Sequence, residues 1–126
     1  MSGTLSFGIA PAGAQDFSLL GQFDGHADIG APTLAGSAKY GGGSQEYTLT
    51  AAGTNMWFGH DQFHFAWKRM KGNFILRARA EFIGKGADAH RKLGWMVRPN
   101  LDADVPYADC AEHGDGLTSL CSAQSA

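Results

Sequence analysis

Short segments in which apolar and polar residues alternate are the main pattern along this chain. Glycine-rich stretches separate these segments, and no extended region repeats apolar residues at the spacing of an amphipathic helix. The pattern predicts an all-β protein. The predicted strands are 17–23, 36–40, 46–50, 63–68, 74–83, 93–98 and 107–112, with another beginning at Leu117.

Two turn sequences predict hairpins between consecutive strands. Residues 41–44, Gly-Gly-Gly-Ser, form a loose link between strands 36–40 and 46–50. Residues 71–73, Lys-Gly-Asn, predict a tight turn between strands 63–68 and 74–83, because the glycine can adopt a positive φ.

The second predicted hairpin has two chemically different faces. Phe63, Phe65 and Trp67 share one face of the first strand, and the other face carries His64 and Lys68. In the second strand, alternate apolar residues face one way, while Arg77 and Arg79 face the other. This is typical of an antiparallel sheet that packs on a core with one face only. Strand 93–98 is expected to continue the basic face with Arg98.

Charge is distributed unevenly, although the formal net charge is only −2. Residues 62–98 hold nine Lys or Arg and two acidic residues, whereas residues 1–61 hold five acids and one Lys, and residues 99–126 hold five acids and no base. Either the acidic strands neutralise the basic segment, or that segment is a cationic face for an anionic ligand.

Several classes of function are disfavoured. The pI of about 6.2, with the aromatics opposite the basic face, argues against nucleic acid as a partner. No apolar run approaches the ~20 residues of a membrane span. Nucleophile-elbow, P-loop and dinucleotide motifs are missing from the sequence. Glycoside hydrolysis needs paired carboxylates, and the basic strands offer only Glu81, which we interpret as a partner of Arg77 or Arg79. We therefore predict no catalytic residues.

The histidines do not predict a metal site by their spacing. His60 and His64 would lie together on a helix but not on a strand. His90 and His113 could join a site only through tertiary contact. No cofactor is expected. The remaining alternative is a calcium ion bound by the loop carboxylates of Asp102, Asp104 and Asp109. The spacing of these residues is not that of an EF-hand.

The cysteines and the N-terminus leave alternatives open. Cys110 and Cys121 have ten residues between them, without zinc-ligand spacing, and their pairing does not follow from sequence. Residues 12–14, Ala-Gly-Ala, have the form of a signal-peptidase site, but a basic start and a long apolar core are missing. Residues 1–15 are thus either a flexible tail or the remnant of a signal peptide.

Trp57 is a candidate ligand contact. It lies in a turn-rich segment beside polar residues, where an indole can stack on a sugar ring while nearby arginines bind hydroxyl groups. The alternative is a tryptophan that caps the hydrophobic core.

Four longer segments carry a family resemblance. GQFDGHADIGAPTLAGSAKY, YTLTAAGTNMWFGHDQFHFAWKRMKGNFILRARAEFIGKG, HRKLGWMVR and HGDGLTSL resemble a bacterial family of secreted concanavalin A-like (laminin G-like) domains, some joined to Tol-type β-propellers. The resemblance covers roughly residues 17–120. It implies a jelly-roll β-sandwich of two antiparallel sheets and an extracytoplasmic location. Many members of the wider superfamily bind carbohydrate, but the resemblance supplies no catalytic residues.

The chain departs from the family after HGDGLTSL. Family members continue with further strands, whereas this sequence ends in CSAQSA. We expect a sandwich domain over residues 16–120, incomplete at its C-terminus, and a non-family tail over 121–126. Uncovered edges and apolar surface would favour self-association or a β-propeller partner.

The sequence thus predicts a non-catalytic, extracytoplasmic binding module for carbohydrate or a cell-envelope polymer. The alternatives are a glycoside hydrolase of the same fold and a structural domain that docks a β-propeller. In the predicted site the arginines hydrogen-bond the ligand, His64 and Lys68 orient it, and Trp57 stacks on it. The predicted contact residues are Trp57, His60, His64, Lys68, Arg77, Arg79 and Arg98.

Overall fold

The all-β class is confirmed. A computed structural model describes residues 17–57 and 59–123, so the predicted tail 1–15 and the last three residues lie outside the described part. Within the described residues, all strand pairs are antiparallel and the only helix is a short 3-10 helix, Phe17–Leu20. The strands are β1 (Gly25–Ile29), β2 (Ser37–Gly41), β3 (Glu46–Thr50), β4 (Met56–Trp57), β5 (His60–Asp61), β6 (Phe63–Trp67), β7 (Lys92–Val97), β8 (Tyr107–His113) and β9 (Thr118–Ala123).

The chain divides into two compact units, one ending at Met70 and the other beginning at Lys71. The first unit contains three two-stranded sheets, β1–β6, β2–β3 and β4–β5. The second contains one three-stranded sheet in the order β7–β8–β9.

The hairpin β2–β3 forms where the sequence predicts it. Tyr40 lies opposite Tyr47, with ring centroids 4.7 Å apart, as expected for a cross-strand aromatic pair. The connecting loop is closed by the backbone N–H of Gln45, which donates to the carbonyl of Gly41 at 2.7 Å. Local alternation and a glycine-rich turn are therefore sufficient to specify this element.

β6 also forms as predicted, but its partner is β1. In this register Asp28 lies opposite His64, and His26 lies opposite Ala66. Residues directly opposite in an antiparallel pair share a face, so the polar face of β6 meets polar residues of β1. The apolar side chains of Phe63 and Phe65 contact each other edge to face, at 5.8 Å between ring centroids.

The predicted strand 74–83 does not form. Residues 71–91 contain no strand, so the predicted hairpin across Lys71-Gly72-Asn73 is wrong, although Gly72 does have a positive φ of 74°. Alternation produces a strand only where a neighbouring edge provides hydrogen-bond partners, and no described strand pairs with this segment. Ile75 and Ile83 are consequently 85% and 81% exposed.

The predicted strand 17–23 is also wrong. Its first residues form the 3-10 helix, and Phe23 donates its backbone N–H to the carbonyl of Leu20 in a turn. Gly21, with φ of 53°, allows the chain to reverse here. The first strand begins only at Gly25.

Among the side chains that the structure describes, few hydrophobic ones are buried. In the first unit these are Leu20, Ile29 and Ala38, and in the second Ala111. The buried polar or charged residues equal them in number. Polar side chains therefore make up a large share of each buried interior. The buried polar or charged residues are Ser37, Asp61, Asp109 and His113.

The central strand of the three-stranded sheet, β8, has one buried and one exposed side. Along β8, Asp109, Ala111 and His113 are buried and the residues between them are exposed. Cys110 lies opposite Leu120 on the exposed face, whereas Cys121 lies opposite Asp109. The two thiols therefore project from opposite faces of the sheet, and both are free and exposed.

Candidate functional site

The predicted contact residues are divided between the two units. A single sheet face that joins β6 to the arginines is not formed, because residues 74–83 are not a strand. Whether these residues bind a ligand stays a prediction. Trp57, His60, His64 and Lys68 belong to the first unit, and Arg77, Arg79 and Arg98 belong to the second.

Trp57 and His60 are paired residues on the short strands β4 and β5. The imidazole of His60 is exposed, and its Nε2 lies 3.3 Å from the carbonyl oxygen of Gly30. The other ring nitrogen of His60, Nδ1, has no hydrogen-bond partner among the described residues and is therefore available to a ligand. The pairing places the backbone of Trp57 directly beside that histidine.

His64 lies inside a polar cluster that the sequence did not predict. Its side chain is only 2% exposed. Its Nδ1 lies 2.7 Å from Asp28 Oδ1, and its Nε2 lies 2.9 Å from His26 Nδ1. The carboxylate of Asp28 also accepts the backbone N–H of Gly36, at 3.0 Å to each oxygen. A hydrogen bond from His64 to a ligand would thus require one of these contacts to break.

Proton positions in this His26–Asp28–His64 cluster follow from its geometry. A His64 that donates from Nδ1 to the carboxylate is neutral only if its Nε2 accepts, and Nδ1 of His26 is then the donor. Burial is the main reason that the pKa of His26 is lowered, and His64 lowers it further, while Asp28 partly opposes the shift. The cluster is therefore most favourable with His26 neutral.

Acidification is expected to destabilise the first unit through His26. Because its pKa in the folded protein lies below the ordinary 6.5, the unfolded chain binds this proton more tightly. Stability is therefore complete above about pH 6.5 and is lost as the pH falls through the folded-state pKa. Urea unfolding between about pH 7.5 and 5 should show a steeper loss for the wild type than for His26→Gln. Parallel curves would exclude His26 as the source.

Lys68 and Arg98 already bind backbone carbonyl groups. Lys68 Nζ donates to the carbonyl of Gln22 at 3.1 Å. The half-buried Arg98 donates through Nη2 to the carbonyl of Asp102 and through Nη1 to the sulfur of Met96 at 3.8 Å. These two cations thus fix loop positions in their own units.

Arg77 and Arg79, unlike Lys68 and Arg98, do not bind backbone carbonyl groups of the described residues. Both are exposed, and neither forms a hydrogen bond or an ion pair with the described residues. Glu81 is exposed as well, and its predicted ion pair with one of these arginines is wrong. Two guanidinium groups therefore remain available within the segment 71–91.

The carboxylates considered for calcium do not form a three-ligand cluster in the described part of the chain. Asp102 and Asp104 are exposed, whereas Asp109 is 7% exposed on the inner face of β8. Burial raises the pKa of Asp109, and Lys92 and His113 partly oppose this shift. The one such group among the described residues consists instead of His90, His113 and Asp115.

Comparison of the chain with protein-family models, curated proteins and solved structures finds no match in any of the three. The concanavalin A-like resemblance therefore remains a prediction. Within residues 17–57 and 59–123, no helix has the length and apolar character needed to cross a membrane.

Proposed function

We propose that the protein is a non-catalytic, extracytoplasmic binding module for carbohydrate or another cell-envelope polymer. The observation that carries the proposal is the pair of exposed guanidinium groups of Arg77 and Arg79, which have no partner among the described residues. The jelly-roll arrangement expected from the family resemblance is part of the same proposal.

The chemistry of the segment 71–91 suits an acidic polysaccharide. A guanidinium group presents several N–H donors in a planar fork, which matches a carboxylate or two neighbouring hydroxyl groups. Phe74, 39% exposed, and Ile75, 85% exposed, supply apolar surface in the same segment for the C–H faces of sugar rings. The segment thus combines the two kinds of contact that a charged sugar needs.

The remaining predicted contacts take graded roles in this proposal. Trp57 and His60 are a secondary contact pair, because they are adjacent and the imidazole of His60 is exposed. His64, Lys68 and Arg98 act by holding the backbone in place, since their polar atoms bind groups of the protein itself.

The double variant Arg77→Gln/Arg79→Gln is expected to lose affinity for acidic polysaccharide by roughly 10–100-fold, because each charge-assisted hydrogen bond contributes about 1.5–3 kcal/mol, partly offset by solvent at an exposed site. The measurement is a glycan array, followed by affinity electrophoresis in gels that contain the acidic polymers retained on the array. Lys39→Gln/Arg69→Gln is the matched control, because it also removes two exposed positive charges and should bind as the wild type does.

Equal losses of affinity in both double variants would show that the binding is non-specific charge attraction, and this would contradict the proposal. A silent array would contradict it too. If such a chain also formed concentration-dependent oligomers in size-exclusion chromatography, the alternative of a structural docking domain would be supported. The exposure of Ile75, Ile83 and Leu120 favours that second function.

A further inference from the structure

One end of the three-stranded sheet brings together side chains that are far apart in the sequence. β8 ends at His113, Asp115 lies in the turn to β9, and His90 comes two residues before β7 begins. The backbone N–H of Gly114 donates to the carbonyl of Arg91 at 2.9 Å, which extends the pairing of β7 with β8 by one step. The sheet register itself therefore places the three side chains at the same edge.

Hydrogen bonds on both sides of this edge hold the ligating residues in place. In the β8–β9 turn, the backbone N–H of His113 donates to the carbonyl of Leu117 at 2.8 Å, and the backbone N–H of Leu117 donates to Asp115 Oδ1 at 3.0 Å. The turn itself thus orients the carboxylate of Asp115, without any contribution from a ligand.

The loop that carries His90 is fixed by its neighbours. The carboxylate of Asp88 accepts the backbone N–H of His90 at 2.7 Å. The guanidinium group of Arg91 donates to the carbonyls of Asp88 and Gly84, at 3.1 and 3.4 Å, and lies 4.7 Å above the ring of Phe82. The positive charge next to His90 is therefore directed toward carbonyl groups of the loop.

The three side chains lie close to one another, and the separation of His90 from Asp115 matches the coordination sphere of a small cation. One donor atom from each of His90, His113 and Asp115 lies within 4.8 Å of the other two. His90 Nδ1 and Asp115 Oδ2 are 3.5 Å apart. Bonds of about 2.0–2.1 Å at a tetrahedral angle require donor atoms about 3.4 Å apart. The two imidazole rings are nearly perpendicular, at 88°, so they do not stack on each other.

His113 provides a second, independent observation. It is only 8% exposed, and its Nδ1 is buried without a hydrogen-bond partner among the described residues. Its other nitrogen, Nε2, has a long contact of 3.4 Å with Ser119 Oγ. A buried imidazole nitrogen without a partner is unfavourable in the empty protein. In metal sites the second nitrogen of a ligating histidine usually donates its N–H to an oxygen acceptor, and Ser119 Oγ is the oxygen nearest to Nε2 here.

We propose that His90, His113 and Asp115 form a binding site for a divalent transition-metal ion, with Zn²⁺ as the ion that the donor set fits best. Two imidazoles and one carboxylate suit zinc, whereas calcium and magnesium require oxygen donors. Three protein ligands leave a fourth position. Because the side chains of His90 and Asp115 are 71% and 38% exposed, that position is open to water or to an oxygen donor of another molecule.

The test is calorimetric titration of the full chain with zinc chloride after treatment with a chelator. We expect one saturable site per chain, with no comparable binding of Ca²⁺ or Mg²⁺. His90→Ala and Asp115→Asn alter exposed residues, so the variants should fold, and each is expected to weaken zinc binding by roughly 10–100-fold or more. Cobalt offers a second readout, since the visible absorption of bound Co²⁺ should be lost in the same variants.

His60→Ala and Asp104→Asn are the matched controls, because both alter exposed residues of the same types outside the cluster. They should bind zinc as the wild type does. The proposal is overturned if the wild type shows no saturable zinc site, or if His90→Ala and Asp115→Asn bind zinc unchanged. Titration with the metal alone keeps this result separate from polysaccharide binding through Arg77 and Arg79.

Discussion

Replacing Gly30 with alanine is expected to unfold a large fraction of the first unit under conditions in which the wild type is folded. Gly30 has φ of 71°, and a Cβ atom there would overlap the backbone carbonyl oxygen of Asp61. The oxygen belongs to β5, so it cannot move away without disturbing the pairing with β4. Left-handed strain and overpacking together cost about 2–5 kcal/mol, a large part of the stability of an ordinary domain.

Gly72→Ala separates these two contributions. Gly72 has nearly the same φ, 74°, but a Cβ atom there would meet nothing within 4 Å. We expect this variant to lose only about 1 kcal/mol. Denaturant unfolding followed by circular dichroism should therefore show a much lower midpoint for Gly30→Ala than for Gly72→Ala. Similar midpoints for the two variants would contradict the close approach of Gly30 to β5.

His64→Ala is expected to destabilise the first unit by about 2–4 kcal/mol. The substitution removes an almost fully buried imidazole and two hydrogen bonds, one of them to the carboxylate of Asp28. Asp28 would keep the backbone N–H of Gly36, but its carboxylate would lose its contact to the side chain of residue 64. The side-chain bonds between β1 and β6 would be lost, while the backbone pairing of the two strands would remain.

His60→Ala is the control, because His60 is an exposed histidine only four residues away. Its single long contact with the carbonyl of Gly30 predicts a change below about 0.5 kcal/mol. Urea midpoints at about pH 7.5, above the ordinary pKa of histidine, are the measurement. If both variants lose the same stability, His64 does not have the structural role described above.

The elements that sequence predicts well are those specified locally. Strand 46–50 has its predicted bounds, and β7 and β8 agree to within one residue at each end. In these segments alternation agrees with the turns beside them, so each strand is delimited by its own residues. The same holds for β6, whose polar and apolar faces can be read from residues 63–67 alone.

Partners distant in sequence could not be predicted in this way. His64 lies 36 residues from Asp28, and β1 was not predicted because Gly25–Ile29 has only a weak alternation. The pairing of β6 with β1 depends on strand register, which single-segment patterns do not encode. Arg77 and Arg79 illustrate the same difficulty, since alternation around them predicts a strand, but no described strand pairs with this segment.

The sequence indicates only part of the His90, His113 and Asp115 cluster at the end of β8. The sequence predicts that only tertiary contact can join His90 and His113 in a site, and nothing in it distinguishes Asp115. It lies in a Gly-Asp-Gly turn, where an aspartate is expected for turn formation alone. The backbone hydrogen bond that orients its carboxylate gives it a second role.

Because the β7–β8–β9 sheet carries two thiols, each chain can form two intermolecular disulfides when it is oxidised. Cys110 and Cys121 point away from each other on opposite faces of the sheet. They therefore cannot form a disulfide with each other without a loss of strand register. An oxidant would therefore link different molecules, and two attachment points per molecule allow growth beyond a dimer into chains. Such covalent polymers would dissolve in a reducing agent, which distinguishes them from aggregates held by apolar surface.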